Sequence, residues 1–127
     1  MATRVLVDDD EAAIRTSLRR ILERSSFEVT EAPDGQTALR HFAGNPTDCV
    51  ISDIYMPGMD GIEFLIRVQE AFPDVRVIAM SGGGYQPKEN VLGAASMLGA
   101  VTVLEKPLEV AEVLAAVHLA RESDGPG

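Results

Sequence analysis

The sequence has one cysteine and no tryptophan among its 127 residues, and only 11 basic residues against 20 acidic ones. A lone Cys49 rules out an internal disulfide. It sits in an apolar run and reads as a small buried hydrophobe, in keeping with a reducing, cytoplasmic setting. The shortage of Lys and Arg leaves a formal charge of −9. That charge weighs against nucleic-acid binding, which needs a basic footprint, and against docking on an anionic membrane. No apolar run approaches the ~18–20 residues of a membrane-spanning helix. Asp8 to Glu11 interrupts the N-terminus before the apolar core of a signal peptide could form. Hydrophobic residues at 46% and charged residues at 24% are ordinary for a globular protein, and the length suits one domain.

What is present is an alternation of strand and helix patterns. Residues 4–8 read as a strand, and 12–24 as an amphipathic helix with Ile14, Leu18, Ile21 and Leu22 at helical spacing. Phe27 to Glu31 is a second strand. Pro33-Asp34-Gly35 is a turn, with Asp34 the expected N-cap of a helix over about 35–43 that Gly44-Asn45-Pro46 stops. A third strand spans about 48–53. The loop Met56 to Gly61 precedes a helix whose apolar positions are Ile62, Leu65, Ile66 and Val68, ended by Phe72-Pro73-Asp74. A fourth strand covers about 75–80, Gly82-Gly83-Gly84 breaks the pattern, and a weaker helix covers about 87–98 with Gly99 as its C′ residue. A fifth strand at 101–104 leads to a last helix after Pro107 carrying Val110, Val113, Leu114 and Val117. Right-handed crossovers place helices on both faces of such a sheet. The expectation is an α/β doubly wound (βα)₅ fold, a flavodoxin-like three-layer sandwich on a parallel five-stranded sheet of order 2-1-3-4-5. One domain over residues 1–121 and a flexible tail over 122–127 are expected. Met1 and the short tail favour a complete protein over an excised domain, in which Glu122–Gly127 would begin a linker.

Ligands of an open parallel sheet bind outside the carboxyl ends of its strands. Asp9 and Asp10 follow the first strand, Asp53 ends the third, Ser81 follows the fourth and Lys106 follows the fifth. Crowded carboxylates need a counter-charge. Mg²⁺ is the best candidate, because it takes one or two carboxylates with water and phosphate oxygens. A carboxylate can also act as a nucleophile toward phosphorus. Lys106 would then pair with the phosphoryl group and Ser81 would donate a hydrogen bond to it, with backbone N–H groups near Gly82 adding more. Taken singly, each residue has a plainer reading as a helix cap, a surface lysine or a loop. The combination at successive strand ends carries the argument.

Val5-Leu6-Val7-Asp8-Asp9-Asp10-Glu11, Ser52 to Gly61 with its Asp-x-x-Met-Pro-x-Met-Asp-Gly core, Met80-Ser81-Gly82 and Glu105-Lys106-Pro107 together resemble the receiver domain of two-component response regulators, of the stand-alone chemotaxis-regulator type. The resemblance covers about residues 4–121. It implies that Asp53 is the phospho-acceptor and that Asp10 and Asp53 hold Mg²⁺ directly, with the backbone carbonyl of Tyr55 as a further ligand. Asp9 would act mainly through a coordinated water. Ser81, Lys106 and the backbone at Ile54 and Gly82 would contact the phosphoryl group. The donor would be a phosphohistidine on a sensor histidine kinase or a histidine phosphotransfer protein. The output would be a protein effector met through the face of the fourth helix, fifth strand and fifth helix of the pattern. Such a protein catalyses its own phosphoryl transfer and slow dephosphorylation and is otherwise no enzyme. The family's apolar residue five after the first acid corresponds to Ile14 and selects Asp9-Asp10 from the run of three. Asp8 then departs from the usual apolar strand residue and needs a partner, for which Ser52 is the candidate. Val103 stands where relatives often carry a Tyr or Phe that turns inward on activation. Tyr55 and Gly83 occupy variable flanking positions that tune phosphoryl lifetime in the family.

Two other classes share parts of this pattern. Asp8-x-Asp10 after an apolar strand resembles the nucleophile motif of haloacid-dehalogenase-like phosphohydrolases, but Ala12 replaces the expected Thr and no acidic pair follows the lysine. A non-phosphorylated pseudo-receiver scaffold sits poorly with a full acidic set. His41 and His118 lie on helix patterns as surface or half-buried residues. The charge balance predicts no sequence-selective DNA binding by this chain. A mobility-shift assay at physiological salt should show none, and a tight, selective shift would contradict this.

Overall fold

The fold is described from a computed structural model over residues 3–54, 61–81 and 99–122. Five strands and four helices are described: β1 (Arg4–Asp8), α1 (Ala12–Arg24), β2 (Glu28–Ala32), α2 (Gly35–Gly44), β3 (Cys49–Asp53), α3 (Gly61–Ala71), β4 (Arg76–Ser81), β5 (Thr102–Glu105) and α4 (Val110–Glu122). The helix expected at 87–98 lies outside the described residues. All strands are parallel in the order β2-β1-β3-β4-β5, as the alternating pattern predicted.

β3 is buried from end to end and β4 from Val77 onward, because helices cover both faces of the sheet. Alternation along each strand divides the core in two. Val5, Val7, Cys49, Ile51, Ile78 and Met80 face α1 and α4, which contribute Leu18, Leu22, Val113, Ala116, Val117 and Ala120. Leu6, Val50, Val77 and Ala79 face α2 and α3, which contribute Ala38, Phe42, Phe64, Leu65 and Val68. Burial pushes the Cys49 thiol up to about 12, with the neighbouring Asp48 adding to the effect, so the cysteine is an inert core residue. No helix among the described residues is long and apolar enough to cross a membrane.

Two apolar assignments change. Ile66 is 40% exposed and Val110 is 55% exposed. The buried stripe of α3 is Phe64, Leu65 and Val68, and Ile66, next in sequence to Leu65, is turned about 100° away from it. In α4 the stripe is Val113, Ala116, Val117 and Ala120 at i, i+3, i+4 and i+7, so two alanines do the packing that was assigned to longer side chains. Strand ends also shift by a residue. Ser81 closes β4 instead of following it, and β5 runs to Glu105.

The helix ends show how local chemistry sets these bounds. Asp34 caps α2, its carboxylate accepting from the Thr37 N–H at 2.8 Å. That bond holds its carboxyl below the usual carboxylate range. After α1 the chain turns through Ser26 at φ 69°, with the Ser26 N–H bonded to Glu23 O and the Phe27 N–H to Leu22 O. This is a Schellman ending, in which the left-handed residue is ordinarily glycine. Gly99 also has a left-handed backbone, at φ 88°, and a Cβ there would strike the Gln69 side chain. A left-handed non-glycine residue costs about 1–2 kcal/mol, partly offset by the entropy glycine loses on folding. Ser26→Gly should therefore raise stability by roughly 0.5–1 kcal/mol in urea unfolding. A destabilised variant would show that the Ser26 side chain contributes more than its backbone geometry costs.

Candidate functional site

The carboxyl ends of β1, β3, β4 and β5 are brought level by register. Asp8 is paired with Ser52, Asp53 with Met80, and Ser81 with Glu105. Asp9, Asp10 and Asp53 each bring a carboxylate oxygen within 4.8 Å of the others. Lys106 reaches into this group from beyond β5. Its ammonium donates to Asp9 Oδ2 at 2.8 Å and to Asp53 Oδ2 at 3.0 Å. The Lys106 amide bonds the Ser81 carbonyl at 2.9 Å, and the Lys106–Pro107 peptide bond is cis.

Asp9 and Ser81 are buried, Asp53 is 5% exposed, and Asp10 faces solvent. Burial alone would lower the lysine's pKa. The hydrogen bonds and charges of Asp9 and Asp53 more than offset it, and the net shift is upward, so the ammonium stays charged. Removing the lysine would leave two buried carboxylates without their counter-charge, at a cost on the order of 3–5 kcal/mol. Asp9 is tied down further, since its Oδ1 accepts from the Glu11 N–H at 2.8 Å. Both oxygens of Asp9 are thus engaged within the protein, whereas Asp10 stands open.

The candidates from sequence are placed as follows. Asp9, Asp10, Asp53 and Lys106 come together, and Ser81 lies one residue beyond the register partner of Asp53. Tyr55, Gly82 and Gly83 lie outside the described residues. The Ile54 N–H, assigned to the phosphoryl group, donates here to the Met80 carbonyl at 3.3 Å. His118 is exposed and packs on Phe27 at a ring distance of 5.9 Å, and His41 sits at the end of α2; neither is part of the cluster. Val103 is partly buried against the α2–α3 side of the core. Arg15, on α1, donates from Nη1 to the Asp9 carbonyl at 2.8 Å. Spacing could not reveal this, because the acceptor is a backbone atom.

Asp8 is fully buried, and Ser52 Oγ donates to its Oδ2 at 3.0 Å. Among the described residues its Oδ1 has no partner. Burial pushes its carboxyl up to about 7, against the lowering effect of Ser52 and with Asp34, Asp9 and Asp53 adding to the rise.

Oxygen-only donors suit a hard divalent cation, and the cluster fits Mg²⁺ by that chemistry. An ammonium held against one carboxylate oxygen of Asp53 places positive charge where a phosphoryl group on that residue would lie. The profile of the response regulator receiver domain matches residues 5–118. The chain belongs to the response regulator receiver domain family.

The transcriptional regulatory protein FixJ of Bradyrhizobium diazoefficiens is 41% identical over 105 residues, which span 83% of this chain and 50% of the relative. A receiver domain protein from Clostridium thermocellum superposes with a TM-score of 0.85 at 30% identity, covering 94% of each chain. The chemotaxis protein CheY4 of Vibrio cholerae superposes with a TM-score of 0.82 at 27% identity, covering 93% of this receiver and 98% of that chain. The receiver spans about half or less of the length of the curated relatives it matches.

The Asp8 shift has a definite pH consequence. Its folded pKa of about 7 lies above the ordinary carboxylate value of 3.8, so the folded state holds this proton more tightly. Its contribution is fully present below about pH 4 and is lost as pH rises toward 7, by at most about 4 kcal/mol. Asp8→Asn should be more stable than the parent at pH 8 without divalent cations, with the gap closing toward pH 4. Urea unfolding across that range checks this, and a pH-independent gap would contradict it.

Proposed function

We propose that this receiver accepts a phosphoryl group on Asp53 from a phosphohistidine of a sensor histidine kinase or phosphotransfer protein. The observation that carries the reading is the Lys106 ammonium shared between Asp9 and Asp53 at 2.8 and 3.0 Å, inside a cluster of three carboxylates. An Asp53 oxygen attacks phosphorus, the P–N bond breaks, and its electron pair returns to the imidazole. The product is an acyl phosphate on Asp53. Lys106 follows the negative charge onto the phosphoryl oxygens, and Ser81 donates to one of them from the end of β4.

Asp10 and Asp53 would hold Mg²⁺ directly, with Asp9 acting through a coordinated water and the Tyr55 carbonyl as a further ligand. The engagement of both Asp9 oxygens and the openness of Asp10 support that division. Held there, Mg²⁺ would supply positive charge against the carboxylates and the phosphoryl oxygens. The Ile54 N–H would need to leave Met80, and Gly82 would offer a second amide. Output passes to a protein effector through the face of residues 87–98, β5 and α4. The chain catalyses only its own phosphoryl transfer and slow dephosphorylation, as a cytoplasmic domain over residues 1–121 with a tail at 122–127. The phosphohydrolase reading would need Asp8 as nucleophile, yet Asp8 is buried on Ser52 and Lys106 bonds Asp9 and Asp53 instead.

Acetyl phosphate with Mg²⁺ should label Asp53, detected by mass spectrometry after borohydride trapping. Asp53→Asn should lose the label. Labelling of that variant at the parent's rate, or labelling on Asp8, would overturn the assignment. Millimolar Mg²⁺ should raise the melting temperature of the parent and barely affect Asp10→Ala, because the cation binds only the folded cluster.

A further inference from the structure

The Asp9–Asp10 peptide is gripped by a residue outside the carboxylate cluster. Arg15 Nη1 donates to the Asp9 carbonyl at 2.8 Å, and Nε of the same guanidinium donates to Glu31 Oε1 at 3.2 Å. The other Glu31 oxygen lies 3.2 Å from Arg19 Nε, and Arg19 Nη2 donates to the Val29 carbonyl at 2.9 Å. A tie therefore runs from β2, through two arginines of α1, to the backbone between the two acids. The Arg15 side chain is only 18% exposed, so water competes weakly for these bonds.

The other polar atoms of Asp9 are already engaged. Its N–H bonds the Ala32 carbonyl at 3.2 Å, Oδ1 accepts from Glu11 and Oδ2 from Lys106. Arg15 completes the set at the carbonyl. That carbonyl belongs to the same planar peptide unit as the Asp10 N–H. Fixing its oxygen fixes the direction in which the chain enters Asp10. Among the described residues none hydrogen-bonds the Asp10 side chain, so its aim depends on its backbone.

We propose that Arg15 is a positioning residue for the cation site: its fork, loaded on one side by Glu31, holds the Asp9–Asp10 peptide so that the Asp10 carboxylate is presented toward Asp53. The inference rests on the reading of Asp9, Asp10 and Asp53 as the cation and phosphoryl site. It differs in sign from a charge effect. Coulomb's law alone makes a nearby guanidinium repel a divalent cation, so its removal would tighten binding. Loss of positioning weakens binding. Lysine keeps the charge but cannot satisfy Glu31 and the carbonyl with one rigid fork.

The test uses the whole chain with Mg²⁺ as the probe, in titration calorimetry. Arg15→Met should weaken Mg²⁺ binding about tenfold, at the low end of the loss seen when partners of metal ligands are removed, and Arg15→Lys by a smaller factor of about threefold. Amide exchange at Asp10 and Glu11 in the metal-free variants should quicken. The rate of acetyl-phosphate labelling at saturating Mg²⁺ should return to within about twofold of the parent, because the defect lies in placing the cation and not in the chemistry. Unchanged or tighter Mg²⁺ binding with only a lower melting temperature would overturn the proposal and leave Arg15 a plain α1–β2 tether. If Arg15→Met does not fold, Arg15→Lys decides, since charge alone predicts no change for it. Absence of Mg²⁺ binding and Asp53 labelling in the parent would instead remove the reading of the site itself. A parent that binds and labels beside variants that do so identically would remove only the role of Arg15.

Discussion

One lysine between two carboxylates is the constraint on which the rest of the structure depends. Asp9 and Asp53 are drawn out of water by the strands that carry them, and carboxylates buried side by side call for a counter-charge. Lys106 supplies it at 2.8 and 3.0 Å. The bond spans 97 residues of sequence, so it exists only when β1, β3 and β5 are all in place. It joins the two ends of the chain's fold at the one point where the chemistry occurs. It also leaves the charge unbalanced, with three acidic groups to one ammonium, an excess whose chemistry suits a cation.

The surroundings of the cluster are graded in mobility of charge. Asp9 is held at every polar atom. Asp10 is open to solvent and takes its direction from the backbone. Asp8 lies on the opposite side of β1 in the α2–α3 half of the sandwich, where a single hydroxyl meets it. Three consecutive residues of one type thus have three environments, because a strand alternates its faces and then ends. A run of identical letters is resolved by burial and by partners.

The elements were legible wherever period and punctuation agreed. α1 falls over Ala12–Arg24, as Ile14, Leu18, Ile21 and Leu22 indicated, and Asp34 caps α2 as its place in the turn required. The Ser52 partner of Asp8 was also legible, since neighbouring parallel strands of equal phase bring such positions together. Ile66 and Val110 were misplaced because hydrophobicity alone does not say which edge of an apolar stripe meets the sheet. Alanines fill the buried α4 positions at Ala116 and Ala120.

The amino-acid order by itself determined the alternation of strands and helices, the parallel sheet, and the presence of acids, hydroxyl and lysine at four strand ends. Those follow from local periodicity, turn residues and the rule that parallel strands present their carboxyl ends on one side. Only the tertiary structure decided that Lys106 bonds Asp9 as well as Asp53, that Ile54 spends its amide on Met80, and that Arg15 holds the carbonyl between Asp9 and Asp10. The lysine and Ile54 contacts depend on atoms placed by packing between distant elements, and two of the contacts end on backbone oxygens. Side-chain letters carry no record of where a carbonyl points.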